Sequence, residues 1–578
     1  MAVAAEPGST RTPAAVESAR TRRGLTLPFA MRVHLPRLTD RAVLLLLLIG
    51  VGIAGWPSLS TLLPEAGGDT PLSFVPLVPF IGAVFLMARC DGMRIRSTPR
   101  DGFVDGLSLL LLASASVVVL LVLPTSMSWY YWLDRLDILG LILVIASLIV
   151  IVWGLPGVAR LGPGLLYLLL AWPLPYLQIY NKLIPPLTAA TAMATRAITP
   201  LLPLGIRSDT QSTDQLLIPF HGQLNHIVIA QECSGINGAL GLVVVGLPLA
   251  LLGRGTWEAR VTWLALGLGL SWLVNLFRIS VIAAGVAIWG PDVALNWLHP
   301  VLGLILFAIS FGVLLGLAGF CRLDITAPFR ASPRRAIRPP ALAQVTWKRW
   351  VIVGATIGMC GLLESNLNQF GWLSESKLPR IGTTSASDLF QPPPGWRVVG
   401  SEPIDGWQPL FGPASISKLV VLRGPVAPLV FVQAVLTKDI SDFNTYGVEQ
   451  CYLFHGYSLN AVQHVALGNG VTATLIDFRQ DAKQRSASLY WVQPVQTPSG
   501  TFHERIVIGT DVNAFKSLKA LPITGTIAGA TVVTKLSDSV MDILSPWGSG
   551  TAGPEYANAN RYLEWLAQAT ISHERTRS

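Results

Sequence analysis

Residues 261–289 read VTWLALGLGLSWLVNLFRISVIAAGVAIW, an apolar run that is long enough to cross a membrane. A bilayer core of about 30 Å needs about 20 apolar residues in a helix. The run contains one charged residue, Arg278, and an asparagine three positions earlier, Asn275. Residues three positions apart share a face of a helix. The stretch therefore predicts a membrane helix that carries a polar pair on one face.

The composition of the whole chain also favours a membrane protein. Hydrophobic residues make up 51% of the 578 residues and charged residues 13%, whereas soluble proteins average about 25% charged residues. The formal net charge is +9, but the basic residues lie in short clusters between apolar runs, which argues against a nucleic-acid-binding protein. The sequence contains no CxxC, HExxH or Walker A pattern, so we expect neither a metal nor a cofactor.

The pattern of apolar runs predicts a polytopic α-helical membrane protein with about nine transmembrane helices, followed by a soluble α+β domain outside the cytoplasm. The predicted spans are 42–63, 71–88, 103–123, 136–154, 163–180, 236–252, 261–289, 300–320 and 350–365. Spans up to residue 320 form the predicted catalytic domain. Residues 1–41 are polar and arginine-rich and predict a disordered cytoplasmic tail, and residues 321–349 predict a basic cytoplasmic linker.

The distribution of lysine and arginine predicts the orientation. One alternating set of segments between the spans, including the tail, holds 21 of these residues and the other set holds 4. Cytoplasmic segments carry the excess of positive charge. The N-terminus is therefore predicted on the cytoplasmic side of a bacterial cytoplasmic membrane, and residues 366–578 on the outer side. We interpret the apolar but interrupted stretch 183–204 as a helix on the outer surface. If that stretch spans the membrane, the orientation of everything after it reverses.

From about residue 375 the long apolar runs give way to short segments in which apolar and polar residues alternate. Alternating, β-branched segments predict strands at 417–424, 427–436, 471–478 and 486–495. Helical periodicity at 556–570 predicts a helix that closes this outer domain.

A cysteine lies where a predicted outer segment enters the sixth span, in Gln231-Glu232-Cys233-Ser234-Gly235-Ile236-Asn237-Gly238. The start of a helix favours an anion, which makes Cys233 a candidate thiolate nucleophile. Its neighbours are polar and glycine-rich, unlike those of Cys90, Cys321 and Cys360, which we interpret as apolar packing residues.

Arg278 and His299 are predicted at the same depth as Cys233. An arginine inside a span costs at least about 2.5 kcal/mol, so it marks a functional site unless it reaches out to the interface or marks the helix end. Counting 17 residues from residue 261 places Arg278 about 25 Å across the membrane. His299, in Asn296-Trp297-Leu298-His299-Pro300, lies at the outer mouth of the eighth span. A thiol, an imidazole and a guanidinium together can supply acyl-transfer chemistry.

At these residues the chain resembles the exosortases, polytopic bacterial relatives of the archaeosortases. The resemblance covers roughly residues 40–320 and is carried by three motifs in order: Cys233-Ser234-Gly235, Asn275 to Arg278, and His299. It implies that Cys233, Arg278 and His299 are catalytic and that Ser234, Gly235 and Asn275 support them.

The resemblance implies a membrane-embedded cysteine protease or transpeptidase linked to exopolysaccharide production. Its implied partners are membrane lipid, the exopolysaccharide machinery and secreted proteins with a C-terminal sorting signal of the PEP-CTERM kind: a motif, a transmembrane helix and a basic tail. Two alternatives stay open. In the first, the chain is a non-enzymatic membrane component of polysaccharide export or assembly, and Arg278 binds an anionic lipid-linked sugar. In the second, the chain is a scaffold whose outer domain carries the function.

The outer domain resembles the exosortase-associated C-terminal domain. The resemblance is carried by Pro394-Gly395-Trp396, by Glu449-Gln450-Cys451-Tyr452 and by His455-Gly456-Tyr457. We expect Cys451 to be buried in a strand or turn, because free cysteines usually pack as small apolar residues.

Overall fold

The computed structural model describes most of the helical and sheet regions of the chain. The described residues are 40–63, 74–90, 99–124, 131, 135–172, 174–208, 215–228, 235–326, 347–370, 389–404, 407–412, 414–424, 428–438, 440, 442–445, 447–454, 457–468, 471–479, 484–515 and 553–576. Nearly all of the predicted tail 1–41 and most of the predicted linker 321–349 lie outside them, as do Cys233 and Ser234.

Helices make up the first part of the described chain. They are α1 (Asp40–Ala54), α2 (Trp56–Ser60), α3 (Leu77–Arg89), α4 (Pro99–Val117), α5 (Leu136–Trp153), α6 (Leu155–Leu168), α7 (Leu174–Ile198), α8 (Ile236–Leu252), α9 (Trp257–Trp289), α10 (His299–Phe320) and α11 (Trp347–Phe370).

Five of the described helices are long and apolar enough to cross a membrane. They are Gly102–Val122, Leu136–Trp153, Trp257–Trp289, Pro291–Phe320 and Trp347–Leu367. Shorter apolar helices cover Leu77–Arg89, Leu155–Ala171 and Ile236–Leu252. Helix α5 is buried over most of its length, whereas only a small part of Pro291–Phe320 is buried, as expected of a helix in contact with lipid. These helices support a multi-pass membrane protein, while the count of nine spans stays a prediction.

The ends of the helices form two groups, one on each side of the helical bundle. We call the first group the Arg89 end. Arg89 Nε donates to Arg160 O and Arg160 Nε donates to Arg89 O, both at 3.1 Å. Arg260, at the start of α9, lies close enough to act electrostatically on Arg89. A backbone bridge between Arg254 and Asp324 joins the α8–α9 turn to the residues after α10. The end of α3, the start of α6 and the α8–α9 turn thus lie together.

A buried polar cluster holds the opposite end, named here the Arg135 end. Arg135 pairs with Asp137 through two bonds of 3.2 Å and donates from Nη2 to Thr61 Oγ1 at 2.7 Å. Ser58 Oγ donates to Glu364 Oε2 at 2.5 Å. The cluster ties the end of α2 to the start of α5 and the last turns of α11. This grouping agrees with the alternation of helix direction that the predicted spans require.

The predicted boundaries of the fifth span and of the surface helix are wrong. Helix α6 begins directly after a one-residue turn at Gly154 and, with the 3-10 turn Leu169–Ala171, ends well before residue 180. Trp172 is extended, as expected of a residue before proline, and α7 then runs through most of the stretch 183–204. Helix α7 is not among the described helices that could span a membrane by length and composition.

A small antiparallel sheet between α7 and α8 was not predicted. Its strands are β1 (Arg207–Ser208), β2 (Gln215–Phe220) and β3 (Gln223–Val228), in that order. Leu216 and Ile218 of β2 are buried in an apolar cluster with Ile279 and Val286 of α9. Because α9 has 33 residues, about 50 Å, it is longer than the bilayer core and its last turns carry the sheet.

The C-terminal part is built on an antiparallel sheet. Its strands are β4 (Arg397–Pro403), β5 (Ile416–Arg423), β6 (Leu429–Thr437), β7 (Ser458–Gly468), β8 (Val471–Arg479), β9 (Arg485–Thr497) and β10 (Gly500–Asp511), in the order β4-β5-β6-β10-β9-β8-β7. Helix α12 (Ala557–Thr576) buries Tyr562 and Leu566 against one face. The four predicted strands correspond to β5, β6, β8 and β9, and the predicted helix to α12.

The other face of this sheet packs toward the Arg135 end. One apolar cluster contains Leu136 and Leu367 from the helical part together with Phe411, Ile476 and Tyr490 from the C-terminal part. The C-terminal domain therefore lies at the same end of the helices as the buried polar cluster.

Candidate active site

Gly235 precedes α8 and lies directly against α9. Its backbone is left-handed, with φ of 87°, a conformation that side chains with a β-carbon rarely adopt. A β-carbon at this position would lie 3.1 Å from both Cβ and Nδ2 of Asn275. Asn275 is itself buried. The glycine of the first motif is therefore in contact with the asparagine of the second.

The close packing continues one turn further along α8. A β-carbon at Gly238 would lie 2.9 Å from Ser271 Oγ on α9. Between the two glycines, Asn237 carries a buried Oδ1 that accepts no hydrogen bond from the described residues. A buried amide oxygen normally has a donor, so this atom marks a place that suits a water molecule or a polar group of a substrate.

Arg278 joins α9 to the start of α10. Its Nη2 donates to the backbone carbonyl of His299 at 3.2 Å. A β-carbon at Gly303 would lie 2.9 Å from the same Nη2, so the guanidinium occupies the space that a side chain at this position would need. His299 is the first residue of α10 and follows a π-helical turn, Ala294–Leu298. The arginine of the second motif thus fixes the backbone of the histidine.

A row of threonines along α7 and the turn that follows it was not predicted, and it contacts α9. Trp272 Nε1 of α9 donates to Thr191 Oγ1 at 3.0 Å, and Thr191 is fully buried. Thr195 and Thr199 follow on the same face and are also buried, while Thr188 Oγ1 is buried without a partner in the described residues. The spacing of these threonines by three and four residues is the signal that could have identified a polar helix face.

The structure brings together four of the six predicted site residues. Gly235 contacts Asn275, and Arg278 hydrogen-bonds to His299 across the adjoining helix pair. These residues lie directly before α8, on α9 and at the start of α10, at the ends of the helices opposite the Arg89 end. Cys233 and Ser234, which precede Gly235, lie outside the described residues.

We expect Gly235→Ala to reduce activity by about 10- to 100-fold without loss of the protein from the membrane. The left-handed backbone costs a residue with a β-carbon about 1–2 kcal/mol, and the new methyl group displaces Asn275 or the preceding segment. The measurement is the rate of cleavage of the substrate that the family resemblance implies, a secreted protein with a C-terminal sorting signal. Gly269→Ala on α9 is the matched control, because a β-carbon there meets nothing within 4 Å. Equal activity of the two variants would show that the Gly235–Asn275 contact has no functional role.

Cys451 differs from the prediction. It lies on the short helix Val448–Phe454 and is exposed, so the expectation that it is buried in a strand or turn is wrong. Desolvation by the surrounding protein raises the pKa of its thiol, although the positive charge of Arg505 acts in the opposite direction. Arg505 is buried between the rings of Phe411 and Phe443, 5.0 and 4.8 Å from their centroids. The environment of Cys451 therefore does not favour a thiolate.

A comparison with protein families identifies the helical part of the chain. The family described as transmembrane exosortase (Exosortase_EpsH) matches residues 68–316. The match includes all six predicted site residues and the small sheet, and it ends before the C-terminal domain. No curated protein and no solved structure matches the chain.

Proposed function

Because residues 68–316 belong to the transmembrane exosortase family, we propose that the chain is a membrane-embedded cysteine protease or transpeptidase that cleaves C-terminal sorting signals of secreted proteins. The observation that carries the proposal is the pair of contacts that joins the three motifs: Gly235 with Asn275, and Arg278 with His299. Sequence order alone does not require these residues to meet. Their convergence is what a shared active site needs.

In this proposal Cys233 is the nucleophile. It precedes Gly235 by two residues, so the two Cα atoms are separated by at most about 7 Å. The position before the first turn of α8 lies at the positive end of the helix dipole, which favours the thiolate. The thiolate attacks the carbonyl carbon of the scissile peptide bond, and the carbonyl oxygen becomes an oxyanion.

Arg278 and His299 complete the reaction. The Arg278 guanidinium stabilises the oxyanion, because a fixed positive charge in a site that excludes water interacts strongly with developing negative charge. His299 accepts the thiol proton and transfers it to the amine that leaves when the C–N bond breaks. The product is a thioester between Cys233 Sγ and the new C-terminus. Water or an amine then attacks the thioester and restores the thiol.

The expected substrate is a secreted protein that ends in a short motif, an apolar helix and a basic tail. The excess of Lys and Arg near the Arg89 end favours a cytoplasmic location for that end. The site residues at the opposite end would then face the outside of a bacterial cytoplasmic membrane, together with the C-terminal domain. A substrate helix stopped by its basic tail would present its motif there. The family resemblance connects such substrates to exopolysaccharide production.

The test is processing of a signal-bearing secreted protein by membranes that contain the wild-type chain. We expect a shortened product that has lost the apolar helix and the basic tail. No processing of any substrate with this three-part signal would contradict the proposed function.

We expect His299→Gln to lower the rate of processing by about 10²–10⁴-fold, because glutamine donates and accepts hydrogen bonds but cannot carry a proton. The backbone carbonyl that accepts from Arg278 is retained in this variant. The pH profile of the processing rate should separate proton transfer by the His299 side chain from the structural role of its backbone carbonyl. With wild-type enzyme it should contain a limb from a histidine, whose ordinary pKa is about 6.5, and the variant should lack it. An active variant with the same limb would mean that another group transfers the proton.

A further inference from the structure

The small sheet presents an open edge next to the candidate active site. In the described part of the chain, β3 pairs with β2 along one side and with no strand along the other. Residues Gln223, Leu224 and His226 of this strand are exposed. An edge strand offers a row of backbone N–H and C=O groups to which another extended chain can add.

The edge is held in place by the helix that carries two of the site residues. Leu216 and Ile218 of β2 are buried in an apolar cluster with Ile279 and Val286, on the same helix as Asn275 and Arg278. At the end of that helix Gly290 approaches the ring of Phe220, where a β-carbon would lie 2.9 Å away. The position of β3 is therefore fixed relative to α9.

The turn between β2 and β3 determines which backbone groups point outward. His221 and Gly222 have φ of 50° and 79°, as in a two-residue type I′ turn, and Phe220 pairs with Gln223 across it. Because hydrogen-bonded and non-hydrogen-bonded pairs alternate in an antiparallel ladder, residues 223, 225 and 227 bond to β2. The N–H groups of Leu224 and His226 consequently point away from β2.

The same strand leads directly to the proposed nucleophile. Five residue steps separate Val228, the last residue of β3, from Cys233, a distance of at most about 18 Å. The end of a peptide that lies beside Val228 is thus at most about seven extended residues from the attacking sulfur.

We propose that β3 is the docking edge for the extended segment of the substrate that precedes its apolar helix, which adds to the sheet as a fourth strand. The inference rests on the proposed function. A scissile bond in an extended chain exposes its carbonyl to the nucleophile, and backbone bonds to a sheet edge hold a peptide independently of most of its side chains. The apolar helix of the substrate stays in the bilayer, so the residues just outside the membrane are the ones that reach β3.

The test removes the two outward N–H groups. The double variant Leu224→Pro/His226→Pro lacks both donors but keeps the bonds between β3 and β2, and proline is tolerated at such edge positions. We expect KM for a signal-bearing substrate to rise about tenfold with little change in kcat, as the loss of two backbone hydrogen bonds implies. Leu224→Ala/His226→Ala removes the same side chains but keeps both N–H groups, so its KM should stay well below that of the proline variant. Equal KM values for the two double variants would assign the effect to the side chains and would overturn the inference.

A complementary measurement leaves the wild-type chain unchanged and varies the substrate. Substrates N-methylated at single amides before the apolar helix should bind more weakly at every second position, since alternate N–H groups face β3. An unchanged KM in the proline variant and no alternation along the substrate would overturn the inference. A change in oligomeric state without a change in KM would also overturn it, because β3 would then pair with a second copy. Both results leave cleavage by Cys233 intact, so they are distinguishable from failure of the proposed function.

Discussion

Cys233→Ala should abolish processing of a sorting-signal substrate, with a loss of at least about 10³-fold, while the protein still accumulates in the membrane. Without the sulfur no thioester forms, and the remaining groups can only polarise the substrate. The left-handed backbone and the contact with Asn275 belong to Gly235, two residues later, and this variant keeps that glycine. Helix α8 and its packing against α9 are therefore retained.

The matched control is Cys451→Ala. Cys451 is the exposed cysteine among the described residues, and its surroundings raise the pKa of its thiol. We expect full activity from this variant. Cys90 and Cys360 are buried in the apolar core of the helical part, so neither can replace Cys233. Normal processing by Cys233→Ala would remove the protease proposal and favour a non-enzymatic role in polysaccharide export.

Arg278→Lys should lose about 10²–10³-fold in the rate of processing. Lysine keeps the positive charge but lacks the planar guanidinium. In the wild type the guanidinium packs against Gly303, and its Nη2 donates to His299 O at 3.2 Å. The variant should therefore misplace both the positive charge and the first turn of α10. The measurement is kcat and KM for one substrate, and the loss should fall mainly on kcat.

Arg260→Lys provides a control with the same kind of contact far from the site. Arg260 Nη2 donates to Gly253 O at 3.0 Å near the Arg89 end. We expect activity close to that of the wild type for this variant. Equal activity of Arg278→Lys and Arg260→Lys would show that Arg278 has no catalytic role and only anchors the helix at the membrane boundary.

The sequence predicted most helices and the shared depth of the three motifs because both follow from the positions of the apolar runs. Apolar runs identify helices wherever they are long and uninterrupted, and the alternation of helix direction then places residues 235, 278 and 299 at one end. The predicted start of the fifth span, residue 163, is wrong because Pro163 lies inside α6 without interrupting it, and the predicted end, residue 180, is wrong because the helix breaks at Trp172. A proline in an apolar run does not by itself show where a helix begins or ends.

The small sheet was missed because Pro219 breaks the strand pattern of residues 215–228. In the structure Pro219 pairs with Leu224, a position where β2 needs no N–H toward β3. Contacts between distant segments are harder to predict. Ser58 and Glu364 are separated by 306 residues and meet only because α1, α2, α5 and α11 pack together. No local sequence pattern predicts a contact between residues that are so far apart in the chain.

The most direct test of the account is the capture of the covalent intermediate on Cys233. A short substrate with the sorting signal is mixed with the wild-type chain, the reaction is quenched in acid, and the peptide that contains Cys233 is analysed by mass spectrometry. We expect this peptide to carry the acyl group of the N-terminal product and hydroxylamine to release it, as for a thioester. Cleavage of the substrate with no adduct on Cys233, or with the adduct on another residue, would contradict the account.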